Sequence, residues 1–230
     1  MNILLVSANR EQSPYPVTPI GLAYVARPLV DAGHDVRVAD LCFSTDISEA
    51  IDEAIKGFTP DLIGLSIRNV DNLTYPKTTS YLPYLATVAE KISSLGAPVV
   101  AGGSGFSLFP EEMLRRLGLV YGITGEGEAA FSEFSARLGN GTDVCGCPNL
   151  AYIKDGVFRQ NPLSVANDFG AQARLPVHLR LLHLSAPRRQ PHPVPAGRGR
   201  GRRDGGDDQD SRPRLLLLCR RHLQPSGQTG

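Results

Sequence analysis

The sequence predicts an α/β domain built on a doubly wound parallel sheet of five strands. Short apolar runs alternate with segments of helical periodicity as far as residue 138, and this alternation is typical of a parallel sheet covered by helices on both faces. Two glycine clusters, 98–105 and 121–128, stand where an apolar run meets a helical pattern. Such a junction is the carboxyl end of a parallel strand, where ligands bind, so the sequence indicates a ligand-binding domain.

The individual elements follow from local patterns. Strands are predicted at Asn2–Ser7, Asp35–Asp40, 61–67, 98–101 and 121–124, and helices at 19–33, 47–56, 81–95, 109–117 and 128–138. The strands are short runs rich in apolar residues, and the helices carry apolar residues at helical spacing. The first helix ends at Gly33 and contains Pro28, which predicts a kink. Residues 151–159 predict a β-hairpin, because Asp155-Gly156 suits a type I′ turn.

Composition sets limits on the class of protein. With 41% hydrophobic residues, a chain of 230 residues can build an ordinary core. No apolar run approaches the roughly 20 residues that cross a bilayer, and the start of the chain lacks the basic flank of a signal peptide. We therefore expect a cytoplasmic protein without a membrane partner.

The four cysteines form neither a disulfide framework nor a zinc spacing. Cys145 and Cys147 could bind a metal or act in redox chemistry, but in a reducing compartment they are expected to form an ordinary loop.

Charge divides the chain near residue 170. Up to residue 169, 12 Lys and Arg stand against 19 Asp and Glu, whereas the remainder holds 12 Arg against 4 Asp. That remainder has no Lys, Glu, Ile, Met, Asn, Phe, Tyr or Trp, so it has little with which to build a core. We therefore predict a binding domain over residues 1–145, a hairpin or connector over 146–169 and a disordered tail over 170–230.

Absent and present motifs together limit the class of ligand that the domain could bind. No Gly-x-Gly-x-x-Gly follows the first strand and no Gly-Lys-Ser/Thr loop occurs, which removes the main support for dinucleotide or nucleoside triphosphate binding. Instead the chain carries Pro19-x-Gly-Leu, Gly33-His-x-Val, Asp61-Leu-Ile-Gly-Leu-Ser, Val99-Val-Ala-Gly-Gly and Gly125-Glu-Gly-Glu. Together these motifs closely resemble the N-terminal cobalamin-binding domain of the B12-dependent radical S-adenosylmethionine enzymes, over roughly residues 1–160.

That resemblance implies a flavodoxin-like sheet with the corrin of cobalamin over the carboxyl edges of its strands and the nucleotide tail beside the fourth strand. The residues that it places at the cofactor are Ser7, Asn9, Thr18, Ser66, Arg68, Asn69, Gly102, Gly103, Ser104, Gly125, Glu126 and Gly127. Gly102 and Gly103 can clear space for a bulky ligand, while side chains such as Arg68 and Asn69 can donate to its amides and phosphate. The alternative is that each glycine loop is a tight turn that binds nothing.

One departure from related modules concerns the cobalt ligand. The B12 modules of methionine synthases and mutases carry Asp-x-His-x-x-Gly after the first strand, but residues 8–13 of this chain contain no histidine. The resemblance therefore implies a cobalt without a protein histidine ligand, as is common in the radical family. His34 precedes the second strand at the amino edge of the sheet, and we interpret it as structural.

Four glutamates near predicted helix starts allow two interpretations. Glu126 and Glu128 could be catalytic carboxylates, but near a helix start a carboxylate more often satisfies free amide groups and the helix dipole. We interpret both as capping residues, and Glu111 and Glu112 likewise. The sequence therefore predicts neither a catalytic residue nor a metal ligand.

A complete radical enzyme of this family carries Cys-x-x-x-Cys-x-x-Cys, which holds a [4Fe-4S] cluster that binds S-adenosylmethionine. This chain has no such motif, so both groups are expected only in an intact parent enzyme, and the chain is expected to be inactive alone. If the codons of residues 172–183 are shifted forward by one base, they permit Lys-Arg-Gly-Cys-Pro-Phe-Thr-Cys-Val-Tyr-Cys-Thr. The tail is accordingly predicted to be an out-of-frame remnant of the radical domain.

Two other functions remain open at this point. The Arg/Gly run at 196–203 resembles a nucleic-acid-binding segment, but it lacks interleaved aromatic residues and acidic residues follow it, so nucleic acid is not the expected partner. A free-standing corrinoid carrier would need a methyltransferase as its partner. The parent enzymes often methylate unactivated carbon or phosphorus centres, and the sequence does not identify a substrate.

Overall fold

The computed structural model describes residues 1–12, 15–72, 76–164 and 181–183. The strands are β1 (Asn2–Ser7), β2 (Asp35–Asp40), β3 (Leu62–Ser66), β4 (Val99–Gly102), β5 (Tyr121–Ile123), β6 (Leu150–Lys154), β7 (Val157–Gln160) and β8 (Leu181–His183). The helices are α1 (Ile20–Asp31), α2 (Ile47–Ala54), α3 (Leu82–Ser93), α4 (Ser104–Leu108), α5 (Pro110–Leu117) and α6 (Glu128–Gly139). Every predicted strand and helix is present, α1 continues through Pro28, and α4 is an additional short helix.

One sheet joins the strands of the described residues in the order β7-β6-β5-β4-β3-β1-β2-β8. The six strands from β8 to β5 run parallel, whereas β6 is antiparallel to β5 and β7 is antiparallel to β6. The central order β2-β1-β3-β4-β5 is that of flavodoxin-like, doubly wound folds, which confirms the predicted fold class. The strand order reverses between β1 and β3, so a ligand is expected at the carboxyl ends of these strands.

Three strands extend the predicted sheet of five. The predicted hairpin forms β6 and β7 around Asp155 (φ 53°) and Gly156 (φ 76°), and a type I′ turn requires both angles to be positive. The hairpin pairs with β5 and so lengthens the sheet. At the opposite edge β8 pairs with β2. This short strand lies inside the predicted disordered tail, of which the other residues fall outside the described part of the chain.

Helices cover both faces of the sheet, and the side chains of β1 alternate between two cores. Ile3 and Leu5 pack with residues of α1 and α6, while Leu4 and Val6 pack with residues of α2, α3 and α5. All four side chains are fully buried, as expected for a central parallel strand. None of the helices in the described residues is long and apolar enough to cross a bilayer.

A close backbone contact joins the ends of β3 and β4. Gly103 has φ 97°, and a Cβ atom built there would lie 2.6 Å from the carbonyl oxygen of Ile67. The Ile67 N–H donates to the Gly102 carbonyl at 2.8 Å, and the Gly105 N–H donates to the Ile67 carbonyl at 2.9 Å. The backbone alone therefore requires glycine at position 103, both for the positive φ and for the space.

We expect Gly103→Ala to lower the free energy of unfolding by about 1–3 kcal/mol, because the added methyl group meets a strained φ and a backbone clash. Urea denaturation followed by circular dichroism measures the change. Gly102→Ala is the matched control, since its Cβ would lie 3.6 Å from the nearest atom, the Ile123 carbonyl oxygen, and its φ is not positive. Equal losses in the two variants would contradict this account of Gly103.

Candidate ligand-binding site

A pocket of about 180 Å³ opens at the carboxyl edge of the sheet, between the strands and helices α1 and α6. Its apolar walls include Leu5, Leu22, Val25, Val100, Ile123 and Phe131. Its glycines are Gly21, Gly64, Gly102, Gly103, Gly125 and Gly127, and its polar residues are Ser66, Glu126 and Glu128. The pocket stands beside the reversal of strand order, which is the position expected for a ligand in this fold.

Three of these glycines are not required by the fold. A Cβ atom at Gly21 would meet no atom within 4 Å. A Cβ atom at Gly102 would lie 3.6 Å from the Ile123 carbonyl oxygen, and one at Gly127 would lie 3.4 Å from Cγ2 of Val25. None of the three has a positive φ. Gly21 stands in α1 and Gly102 in β4, where glycine is less stable than alanine, so we attribute these two to the space that they leave for a bound molecule. Gly127 precedes α6, where glycine is a common capping residue.

The structure brings six of the twelve predicted site residues to the pocket: Ser66, Gly102, Gly103, Gly125, Glu126 and Gly127. The other six lie at the same edge of the sheet without lining the pocket: Ser7, Asn9, Thr18, Arg68, Asn69 and Ser104. Ser7 and Asn9 are buried at the end of β1, whereas Thr18 and Arg68 are exposed. For Gly103, the contact with Ile67 supports the tight turn rather than clearance for a ligand.

The B12 binding domain family matches residues 6–135, which is more than half of the chain. The chain belongs to this family. The match runs from β1 into α6 and contains nearly every residue of the pocket. It confirms the resemblance to a cobalamin-binding domain that the motifs indicate.

Three known proteins are similar to this B12-binding domain. Tryptophan 2-C-methyltransferase of Streptomyces laurentii is 29% identical over 135 residues, which make up 58% of this chain and 22% of that protein. The radical S-adenosylmethionine methyltransferase TsrM from Kitasatospora setae, solved with cobalamin and a [4Fe-4S] cluster, is 30% identical, with a TM-score of 0.66 over 71% of this chain and 29% of its own. OxsB, solved with aqua-cobalamin and S-adenosylmethionine, is 17% identical with a TM-score of 0.59 over 71% of this chain and 22% of its own; it shows the fold alone. The chain spans less than a third of each relative.

The inner wall of the pocket in this B12-binding domain has no distinctive sequence pattern. Leu5, Val100 and Phe131 have the character of ordinary core residues, so nothing in the sequence separates them from the rest of the core. Gly64 does carry a signal, because a glycine inside a strand marks a close approach. A Cβ atom there would lie 2.7 Å from Cδ2 of Leu5 and 3.1 Å from the Phe131 ring.

The prediction that glutamates cap α5 and α6 is wrong, because neither helix has a side-chain capping hydrogen bond. Helix α6 begins after Gly127 without a side-chain cap, and α5 also lacks one. Glu128 stands in the first turn of α6, where the helix dipole favours an acidic residue, and Glu126 is exposed before the helix. Glu111 and Glu112 stand in the first turn of α5 and pair with the arginines four residues later.

His34, Cys145 and Cys147 do not line the pocket. His34 Nδ1 lies 3.4 Å from the amino group of Met1, and burial together with that positive charge lowers the pKa of His34. Burial raises the pKa of the Cys147 thiol to about 11 and also raises that of Cys145. Both cysteines therefore stay protonated near neutral pH, a form that is a poor nucleophile and metal ligand. Among the described residues, no group of three or more His, Cys, Asp or Glu side chains could hold a metal ion.

Exposed apolar side chains concentrate at the carboxyl edge of this B12-binding domain. Six of the nine large apolar residues exposed in the described part of the chain lie in segments that leave the carboxyl ends of β1, β4 and β7: Tyr15, Val17, Ile20, Leu108, Phe109 and Leu163. We call these six residues the apolar rim. A concentration of exposed apolar residues beside a binding pocket is typical of a surface that a ligand or another domain covers.

The loop that follows β1 is held against helix α3. The Tyr81 hydroxyl, just before the helix, donates to Glu11 Oε2 at 2.7 Å, and the Arg10 guanidinium lies 4.9 Å from the centre of the Tyr84 ring. Burial and the hydrogen bond to Glu11 raise the pKa of Tyr81 to about 12. Burial also raises the pKa of Tyr84 to about 12. The Tyr84 hydroxyl is buried and has no hydrogen-bond partner among the described residues.

We expect Tyr81→Phe to lower the free energy of unfolding at pH 8 by about 0.5–1.5 kcal/mol, because it removes the hydrogen bond to Glu11. Tyr84→Phe is the matched control, since the Tyr84 hydroxyl makes no hydrogen bond that could be lost. Urea denaturation of the two variants beside wild type measures the difference. A larger loss in Tyr84→Phe would show that the loop is not held through Glu11.

The same two variants test the dependence of stability on pH. The pKa of each tyrosine is about 12 in the folded protein, against 10 as its ordinary value, so the fold favours the protonated hydroxyl. This contribution to stability is complete below pH 10 and is lost as the pH rises through 12. Wild type should therefore lose more stability than either variant between pH 10 and pH 12, as measured by urea midpoints. Equal losses in all three proteins would contradict the raised pKa values.

Proposed function

We propose that this B12-binding domain holds cobalamin with the corrin over the carboxyl ends of the strands and the nucleotide tail in the pocket between the sheet, α1 and α6. The observation that carries the proposal is the pocket itself. It is an apolar slot bordered by three positions at which the fold does not require glycine, namely Gly21, Gly102 and Gly127. TsrM, which is 30% identical, has been solved with cobalamin bound, and this supports the same ligand here.

The size and lining of the pocket suit the aromatic base of the tail. An apolar cavity of about 150 Å³ accommodates benzene, and this pocket offers about 180 Å³ beside Leu22, Val25 and Phe131. The corrin ring is much larger, so it stays outside, at the edge of the sheet. There the polar side chains of Arg68 and Asn69, which follow β3, supply donors for the amides and phosphate of the ligand.

This arrangement leaves the cobalt without a protein histidine. The described residues after β1, 8–12, contain no imidazole. A base that occupies the pocket cannot also fold back onto the cobalt of its own molecule. Bound cobalamin supplies a cobalt centre for group transfer, and the residues of this domain bind and orient it.

For the whole protein, we extend the proposal to a radical S-adenosylmethionine domain that covers the upper face of the corrin. TsrM is a radical S-adenosylmethionine methyltransferase, and this chain spans 29% of its length. The apolar rim supports a covering domain, because it surrounds the edge at which the corrin is proposed to lie. The name of the Streptomyces laurentii relative points to methylation of a carbon centre as the class of reaction.

Titration with hydroxocobalamin tests the binding proposal. The purified wild-type chain should retain a stoichiometric amount of the corrinoid through gel filtration. Gly21→Leu should lower the affinity by roughly tenfold or more, because the leucine fills space that the tail needs and a loss of 1.4 kcal/mol is a factor of ten. Its melting temperature should not fall, since leucine is a better helix former than glycine in α1.

Val30→Leu is the matched control, an exposed position towards the other end of α1, and it should bind like wild type. Cobinamide, which has the corrin but lacks the nucleotide, should bind more weakly than cobalamin. A folded wild-type chain that retains no hydroxocobalamin would overturn the proposal. Equal affinities for the two corrinoids would overturn the placement of the tail in the pocket.

A further inference from the structure

Glu128, a residue of the pocket lining, has a carboxyl oxygen that the described residues leave without a hydrogen bond. Glu128 lines the pocket from the first turn of α6, and its Oε2 atom is buried without a partner. Of the buried polar side-chain atoms without partners in the described part of the chain, this is the one that belongs to the pocket lining. Leaving such an oxygen unpaired is unfavourable, so its position requires an explanation.

The helix itself does not explain Glu128. Helix α6 has no side-chain cap at Gly127. The first-turn glutamates of α5, and Glu133 of α6, each pair with an arginine four residues later. Four residues after Glu128 the chain has Ser132, which cannot form an ion pair. Within the described residues, Glu128 therefore lacks both a capping bond and a salt bridge.

The chemistry of a carboxylate limits what can satisfy it. It offers only acceptors, so its partner must carry an O–H or N–H group. In the tail of cobalamin, the phosphate is anionic and the dimethylbenzimidazole base has no N–H, whereas the ribose carries hydroxyl groups. The linker between corrin and phosphate has an amide N–H, but cobinamide has the same linker. A carboxylate at the corresponding edge of dinucleotide-binding sheets accepts hydrogen bonds from ribose hydroxyls.

Building on the proposed function, we infer that Glu128 accepts a hydrogen bond from a ribose hydroxyl of the corrinoid's nucleotide tail. The apolar walls of the pocket take the base, and Glu128 fixes the sugar. Gly127, next to it, leaves room for the ligand because it has no side chain. Glu128 is thus a specificity residue that favours complete corrinoids over corrinoids without the nucleotide.

Dissociation constants of hydroxocobalamin and cobinamide, measured for wild type, Glu128→Ala and Glu128→Gln, test this inference. Glu128→Ala should bind hydroxocobalamin about 10- to 100-fold more weakly, as expected for a lost hydrogen bond to a charged group, and should bind cobinamide like wild type. Glu128→Gln keeps an acceptor oxygen and should lose less. Glu111→Ala, the matched control in the first turn of α5, should change neither constant.

The outcomes separate this inference from the proposed function. If wild type does not bind hydroxocobalamin, both fail. If wild type binds it and Glu128→Ala binds it equally well, the inference fails and the proposed function stands. An equal loss of affinity for cobinamide would place Glu128 at the corrin or its aminopropanol linker and overturn its assignment to the ribose.

A corrinoid with adenine as its base distinguishes the sugar from the base, because adenine carries an amino donor. The ribose assignment predicts the same loss for Glu128→Ala with either base, and a loss confined to the adenine corrinoid would overturn it. The melting temperature of ligand-free Glu128→Ala should fall no more than that of Glu111→Ala, which loses the same interaction with a helix dipole and an ion pair as well. A larger fall in Glu128→Ala would show a structural role for Glu128 and contradict the inference.

Discussion

The geometry of the site depends on the backbone contact between the ends of β3 and β4. A Cβ atom at position 103 would lie 2.6 Å from the Ile67 carbonyl oxygen, so these segments can approach each other only because residue 103 is glycine. The approach lets Ile67 form hydrogen bonds with Gly102 and Gly105, and α4 starts directly after β4. The loop that carries Gly102 is therefore fixed by the fold, which lowers the ordering cost of binding a ligand there.

Glycines at this edge serve two separate physical purposes. Gly103 has a conformation and an environment that exclude other residues, so its role is explained within the protein. Gly21, Gly102 and Gly127 have neither constraint, and glycine within a helix or strand, as at positions 21 and 102, lowers stability. Proteins retain a residue that lowers stability where function requires it. On the proposed function, structural and ligand-binding roles are divided between two adjacent residues, 102 and 103.

Features that local sequence patterns determine can be predicted here, and features that depend on contacts between distant residues cannot. Periodicity predicts β1–β5 and their helices, because each local pattern agrees with the final fold. The pairing of the hairpin with β5 and of β8 with β2 depends on sheet edges formed by distant residues, which no local pattern contains. Leu5 and Phe131 line the pocket with the chemistry of core residues, so the sequence cannot separate the two roles. Capping by a glutamate is a statistical tendency of helix starts, and at α6 no side chain makes the capping hydrogen bond.

The apolar walls and Glu128 recognise a ligand by different physical means. Leu22, Val25 and Phe131 bind a ligand by burying its apolar surface. This interaction is non-directional, so these walls accept one flat base in place of another. A buried acceptor is directional, because a ligand without the matching donor leaves it desolvated and unpaired. Affinity then comes mainly from the walls and selectivity from the carboxyl group. The unfavourable part of this arrangement falls on the ligand-free domain, where none of the described residues donates to the same oxygen, so selectivity is obtained at the expense of stability.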